Sequence, residues 1–140
     1  MAVGVCRLGL SSLAFVGILV SMSELHIRFA EPGDAGTIER LIRELALFER
    51  EPDAVQTSEA LIRAQLEQPT PPFECLIAEM RDQGGTSPVG FALFFQSYST
   101  WRGAPGLYLE DLFVTESRRR QGVASALMRR LAQIALERGY

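Results

Sequence analysis

The stretch from Leu107 to Leu131 constrains this chain more than any other. It reads as a buried strand (LYLEDLFV), a short turn crowded with arginines around a single glycine, and then a helix. A strand that feeds a helix N-terminus makes an anion site, because unpaired N–H groups and the helix dipole point the same way. Gly122 lets a ligand approach the backbone closely, Ala124 keeps the next position small, and Arg118, Arg119 and Arg120 add charge that can pair with phosphate oxygens. The segment therefore implies a phosphate-bearing ligand. It does not fit the dinucleotide-binding fingerprint, since only one of that motif's glycines is present.

Upstream, Leu25–Phe29 alternates apolar and polar residues as a half-buried strand does. Glu31-Pro32-Gly33-Asp34 breaks it, with Asp34 as the expected helix N-cap. Ile38, Leu41, Ile42, Leu45 and Phe48 then line one face of a helix that runs to about Phe48 and is stopped by Pro52. Thr57 or Ser58 caps a shorter helix carrying Leu61, Ile62 and Leu66, which the Pro69–Pro72 cluster ends. Phe73–Met80 is expected as a strand, 81–88 as a hairpin-type connection, and Val89–Tyr98 as a strand apolar on both faces and hence central. A loop with Trp101, Gly103, Pro105 and Gly106 leads into the strand Leu107–Val114. In the last helix, Val123, Ala124, Leu127, Met128, Leu131, Ile134 and Ala135 form the expected buried face and Gly139 the C′ residue. The order is strand, two helices, three strands, helix.

At 140 residues, 47% hydrophobic and 22% charged, the chain supports one domain with a core. A net charge of −3 gives no nucleic-acid footprint. All 14 basic residues are arginine, which excludes lysine Schiff-base chemistry and the lysine-dependent phosphate loop. Cys6 and Cys75 lie in unlike segments and make neither a metal pair nor a disulfide framework, and no metal site is expected. Cys75, in an apolar run, reads as a buried thiol. His26, the single histidine, reads as a strand residue without a nucleophile to serve. Hydrolase triads are thereby excluded. Leu8–Val20 is an apolar run too short for a membrane span of about 20 residues. Residues 1–22 are read as an extension before a domain covering 23–140, which implies a cytoplasmic protein without a membrane partner. A signal peptide, implying export, and an interfacial anchor are the alternative readings.

Arg119-Arg120-Gln121-Gly122-Val123-Ala124 resembles the Arg/Gln-x-x-Gly-x-Gly/Ala signature of the GNAT N-acetyltransferase superfamily. Four further segments sharpen the likeness toward its spermidine/spermine (diamine) branch: Leu107–Val114, Leu41–Ala46 with Phe48-Glu49, Val89–Ala92, and the loop at Trp101. The resemblance covers about Leu25 to Ala135. It implies an α/β (α+β) fold with a mixed, mainly antiparallel central sheet flanked by helices, in the order β-α-α-β-β-β-α. It also implies acetyl-CoA as co-substrate, a small cationic amine as acceptor (a polyamine or a lysine-like amino acid), and a homodimer. In that likeness the backbone of Leu112, Phe113 and Val114 pairs with the pantetheine arm. The turn of Arg119, Arg120, Gln121, Gly122, Val123, Ala124 and Ser125 cradles the pyrophosphate. Glu110 is the general base, acting through a water, and Phe48, Glu49, Trp101 and Asp111 hold the acceptor. Strict alternation along the strand would put Glu110 and Asp111 on opposite faces.

The family's chains continue with further strands, so the resemblance implies that C-terminal strands are missing here, with an exposed apolar edge, poor solubility and little turnover as expected consequences. A non-catalytic CoA-binding or partner-binding module, or an inactive fragment of such an enzyme, is the competing reading. A phosphate-binding protein unrelated to acyl transfer is a third.

Overall fold

The computed structural model describes residues 24–140; the apolar run Leu8–Val20 and the boundary at residue 22 lie outside them. The alternating segment forms β1 (Glu24–Phe29), and a 3-10 turn over Pro32–Asp34 leads into α1 (Ala35–Glu49). A second 3-10 turn at Pro52–Ala54 precedes α2 (Glu59–Leu66), followed by β2 (Glu74–Asp82), β3 (Gly85–Ser99) and β4 (Ala104–Val114). A third 3-10 turn, Glu116–Arg118, delivers the chain to α3 (Val123–Glu137). The four strands form one sheet in the order β1-β2-β3-β4. All three pairings are antiparallel, so among the described residues no parallel pair supports the expected mixed sheet. As its two apolar faces require, β3 lies inside the sheet.

The sheet separates two cores. On one side Leu76, Ala78, Met80, Ala92, Phe94 and Val114 pack against Val123, Leu127, Leu131 and Ile134 of α3. On the other, Cys75, Ile77, Phe91 and Phe113 pack against Ile38 and Leu41 of α1 and Ile62 of α2. Phe91 and Phe94 are fully enclosed, one in each core. Helix α3 buries a narrower face than its apolar period implied: Ala124 is exposed and Met128 47% exposed. Gly139 does end it, at φ +72°, with Tyr140 N–H donating to the Ala135 carbonyl at 2.9 Å.

Several local expectations are corrected. Asp34 does not cap α1 with its side chain. Its carboxylate instead accepts two bonds from the Arg28 guanidinium (2.7 and 2.8 Å) and one from Glu31 N–H (2.8 Å), pinning the start of α1 to β1. Arg28 is shared with Glu79 of β2, so three elements meet at one guanidinium. Ser58 does cap α2, its Oγ accepting from Leu61 N–H at 3.3 Å. The end of α1 is set before Pro52, by Arg50 in the left-handed region at φ 65°, whose N–H returns to Ala46 and Leu47 carbonyls. Residues 81–88 are mostly ladder, with only Gln83 and Gly84 between β2 and β3.

The β3–β4 ladder carries the feature that shapes the site. Leu93 pairs with Asp111 and Phe94 with Leu109, which leaves Glu110 as one extra residue in β4. A bulge of this kind breaks the two-residue alternation and bends the strand. Leu107 and Leu109 face α3 before it, and Leu112 and Val114 face α3 after it. Nearer the end of β4, Gly90 is required by close backbone approach: a Cβ there would lie 2.7 Å from the Phe113 carbonyl oxygen.

Candidate active site

The turn between β4 and α3 presents a continuous set of donors. Arg119 N–H closes the preceding 3-10 turn onto the Glu116 carbonyl (3.3 Å), and the first bond into the next helix is Ala126 N–H to the Gly122 carbonyl (3.0 Å). Between them, the N–H groups of Arg120, Gln121, Gly122, Val123, Ala124 and Ser125 have no backbone acceptor among the described residues. Arg120 (φ 60°) and Gly122 (φ 83°) both adopt the left-handed conformation that curls this segment. A groove of about 220 Å³ opens over it, lined by Val114, Arg118, Arg119, Arg120 and Gly122 through Ser125. No atom lies within 4 Å of where a Gly122 Cβ would stand. Unpaired amides at the head of a 15-residue helix favour a bound anion. The side chains are arranged differently from expectation. Gln121 clips the turn to the Ser117 carbonyl (3.1 Å), and Arg118, expected among the arginines available to phosphate, closes on Asp82 at 2.7 Å.

The edge of β4 runs into this groove. Thr115 N–H donates to the Val89 carbonyl (2.9 Å), so residues 111, 113 and 115 direct their backbone groups to β3. Leu112 and Val114, lying between, direct theirs to the open edge. A ligand strand would therefore pair with Leu112 and Val114, while the backbone of Phe113 is already committed to β3. The Val114 carbonyl accepts from Arg119 Nε at 3.1 Å.

At the other end of this edge lie the acidic residues. The bulge places Asp111 on the α1 side of the sheet, opposite Leu93, whereas strict alternation from Leu109 would have put it on the α3 side. Glu110 then cannot stand opposite both neighbours, so alternation along the strand no longer fixes the face it takes relative to Asp111. Asp111 is half-buried, and its carboxyl is pushed above the usual range by burial first, then by the charges of Glu110 and Glu49. Glu49 ends α1, where the helix dipole adds partial negative charge. None of these three carboxylates has an ion-pair partner among the described residues. The combination calls for a cation.

Phe48, counted on the buried face of its helix, is 62% exposed, and its ring lies over the Arg119 guanidinium at 4.2 Å. The fold does not bring Trp101 to the acids. It sits at the tip of the β3–β4 hairpin, 99% exposed, with β4 residues 104–109 (about 20 Å of strand) separating it from Glu110. Cys75 is buried, its thiol pushed up to about 12 mainly by that burial, which makes it an inert core residue. Among the described residues no His, Cys, Asp and Glu group could hold a metal ion. Two features escaped the sequence reading. The bulge had a signal there: the apolar series Leu107, Leu109, Leu112, Val114 slips by one residue at Glu110-Asp111. The stacking of Arg119 on Phe48 had none.

Residues 38–140 match the sequence model of the acetyltransferase (GNAT) family. The chain is 42% identical over 122 residues to the thialysine N-epsilon-acetyltransferase of Bos taurus, covering 84% of this chain and 71% of that one. It is 41% identical over 119 residues to the spermidine/spermine N(1)-acetyltransferase-like protein 1 of Homo sapiens, covering 83% of this chain and 17% of that protein. Among solved structures, aminoglycoside N-acetyltransferase AAC(6')-Iy in complex with CoA superimposes with a TM-score of 0.60 at 21% identity, over 84% of this chain and 72% of that one.

Proposed function

Because the chain belongs to the acetyltransferase (GNAT) family, we propose that it transfers the acetyl group of acetyl-CoA to the terminal amine of a small cation, either a polyamine or a lysine-like amino acid. The enzyme class follows from the family, whose members use acetyl-CoA. The acceptor class is supported by the names of the relatives and by the unpaired acidic trio Glu49, Glu110 and Asp111. One observation carries the reading: among the described residues, six free amides and an open strand edge lead straight to a set of carboxylates that lack a cation.

In this reading the amides of Arg120 to Ser125 receive the diphosphate, and the outward groups of Leu112 and Val114 align the pantetheine arm along β4. From Val114 to Glu110 is about 13 Å of strand, which brings the thioester end to the bulge. Glu49 and Asp111 hold the protonated acceptor by charge, and Phe48 flanks it. An alkylamine has a pKa near 10.4, so it must lose a proton before it can attack. Glu110 takes that proton through a water, and the neutral amine attacks the thioester carbon directly; the C–N bond forms as the C–S bond breaks, and CoA leaves as its thiol once the thiolate takes up the proton shed by the acylated nitrogen. The likeness to the diamine branch further supports a homodimer in the cytoplasm. Light scattering checks the dimer.

The test is amine-dependent thiol release from acetyl-CoA by the full chain, with diamines and lysine analogues as acceptors. Glu110→Gln should lower kcat on the order of a hundredfold or more with CoA affinity unchanged. Tight CoA binding without thiol release for any amine would favour the non-catalytic binding module. Competition by plain nucleotides as strong as by CoA would favour an unrelated phosphate site.

A further inference from the structure

Arg119 lines both the groove over the amide turn and a second groove of about 290 Å³ formed with Glu44, Leu47, Phe48, Phe113 and Glu116. Its backbone N–H, its Nε and the face of its guanidinium all make contacts within the protein. The backbone N–H is bonded to the Glu116 carbonyl, Nε donates to the Val114 carbonyl, and the guanidinium lies 4.2 Å from the Phe48 ring and 5.6 Å from that of Phe113. Of the signature residues Arg119 to Ala124, this first one is the one whose N–H is not available to an anion.

We infer that Arg119 is a positioning residue that ties the end of α1 to the open edge of β4, so setting the spacing between the amine-holding acids and the thioester, and is not a ligand of the diphosphate. The inference rests on the acetyltransferase reading and deepens it. Phe48 immediately precedes Glu49, so the ring held on Arg119 places that carboxylate relative to β4. The same side chain occupies the Val114 carbonyl at the edge, leaving Val114 N–H and both groups of Leu112 for the arm. A guanidinium suits the task because its plane stacks on aromatic rings while Nε donates in that plane; an ammonium cannot do both. Misplacing reacting groups by about 1 Å can cost on the order of a hundredfold in rate, so a loosened strut is read in turnover before it is read in cofactor binding.

The experiment compares Arg119→Gln, Arg119→Lys, Phe48→Ala and the Gln/Ala double variant in the full chain. Titration calorimetry gives the Kd for CoA at low and high salt, steady-state kinetics gives kcat and the amine KM, and melting checks the fold. Arg119→Gln should keep the CoA Kd within about threefold and its salt dependence unchanged, while kcat falls by about tenfold and the amine KM rises. Phe48→Ala should do the same, the double variant should be no worse than the poorer single one, and lysine should restore part of kcat. The inference is overturned if Arg119→Gln weakens CoA more than tenfold with a flatter salt dependence, if the two losses multiply, or if only the melting temperature moves. Should Arg119→Gln fail to fold, the lysine variant decides by the same readouts. Absence of amine-dependent turnover in the unmodified protein is a different result: it removes the proposed function and, with it, the role assigned to Arg119, whereas turnover in the unmodified protein with any of the overturning outcomes above removes that role alone.

Discussion

At Gly122 a left-handed backbone and an open groove coincide, so an alanine there meets two separate costs. The φ of +83° is unfavourable for any Cβ by about 1–2 kcal/mol. The added methyl also stands in the groove. Gly122→Ala should therefore lower stability only modestly, measured by urea unfolding, while weakening CoA binding by about tenfold or more in calorimetry. Asp111 is the opposite case, a residue whose charge the fold does not welcome. Its folded pKa lies above its unfolded value near 4, so the folded chain holds that proton more tightly. Its contribution to stability is thus favourable at low pH and declines as pH rises through the raised pKa. Asp111→Asn should raise the melting temperature at pH 7 and leave it nearly unchanged near pH 3. The amine KM should rise at least about tenfold, because the acceptor loses a carboxylate. A lowered melting temperature at pH 7 would contradict this account.

Elements are joined by a few guanidinium contacts. Arg28 links β1, β2 and the start of α1 through Asp34 and Glu79, and Arg138 at the end of α3 grips Glu74 at the start of β2. The Arg28 guanidinium holds Asp34 below the usual carboxylate range. That stabilisation is present above the unfolded carboxylate pKa and lost as pH falls through the lowered folded value. Asp34→Ala should cost about 1–2 kcal/mol at pH 7, allowing for the partial exposure of Arg28, and close to nothing at pH 2. Urea unfolding at the two pH values checks this. Helical and strand periods identified all seven elements, because a buried face repeats every few residues whatever packs on it. Their ends were read less well. Arg50 adopts a left-handed turn to which arginine has no intrinsic leaning, and Phe48 belongs to the apolar period yet is 62% exposed, with its ring on the Arg119 guanidinium.

For the whole molecule, the antiparallel sheet with α1 and α2 on one side and α3 on the other leaves β4 paired on one side only among the described residues. That asymmetry is measurable. In amide hydrogen exchange, Asp111 and Phe113, bonded to β3, should be protected, whereas Leu112 and Val114 should exchange readily and become protected when CoA is added. Equal protection of all four in the free protein would mean that the ladder register is different. Among the described residues no helix is long and apolar enough to cross a membrane.

What the sequence determined alone was the chain of elements, the central place of β3 and the amide-rich turn at Gly122, since each depends on the order of nearby residues. The parity slip at Glu110-Asp111 was written there as well, but it acquires meaning only against the partner strand. Tertiary structure decided the rest: that Asp111 shares a face with α1, that Arg119 serves Phe48 and Val114, and that Trp101 stands apart from the acids. Each of these is a relation between residues that only folding brings together, where burial and charge are set by neighbours distant along the chain.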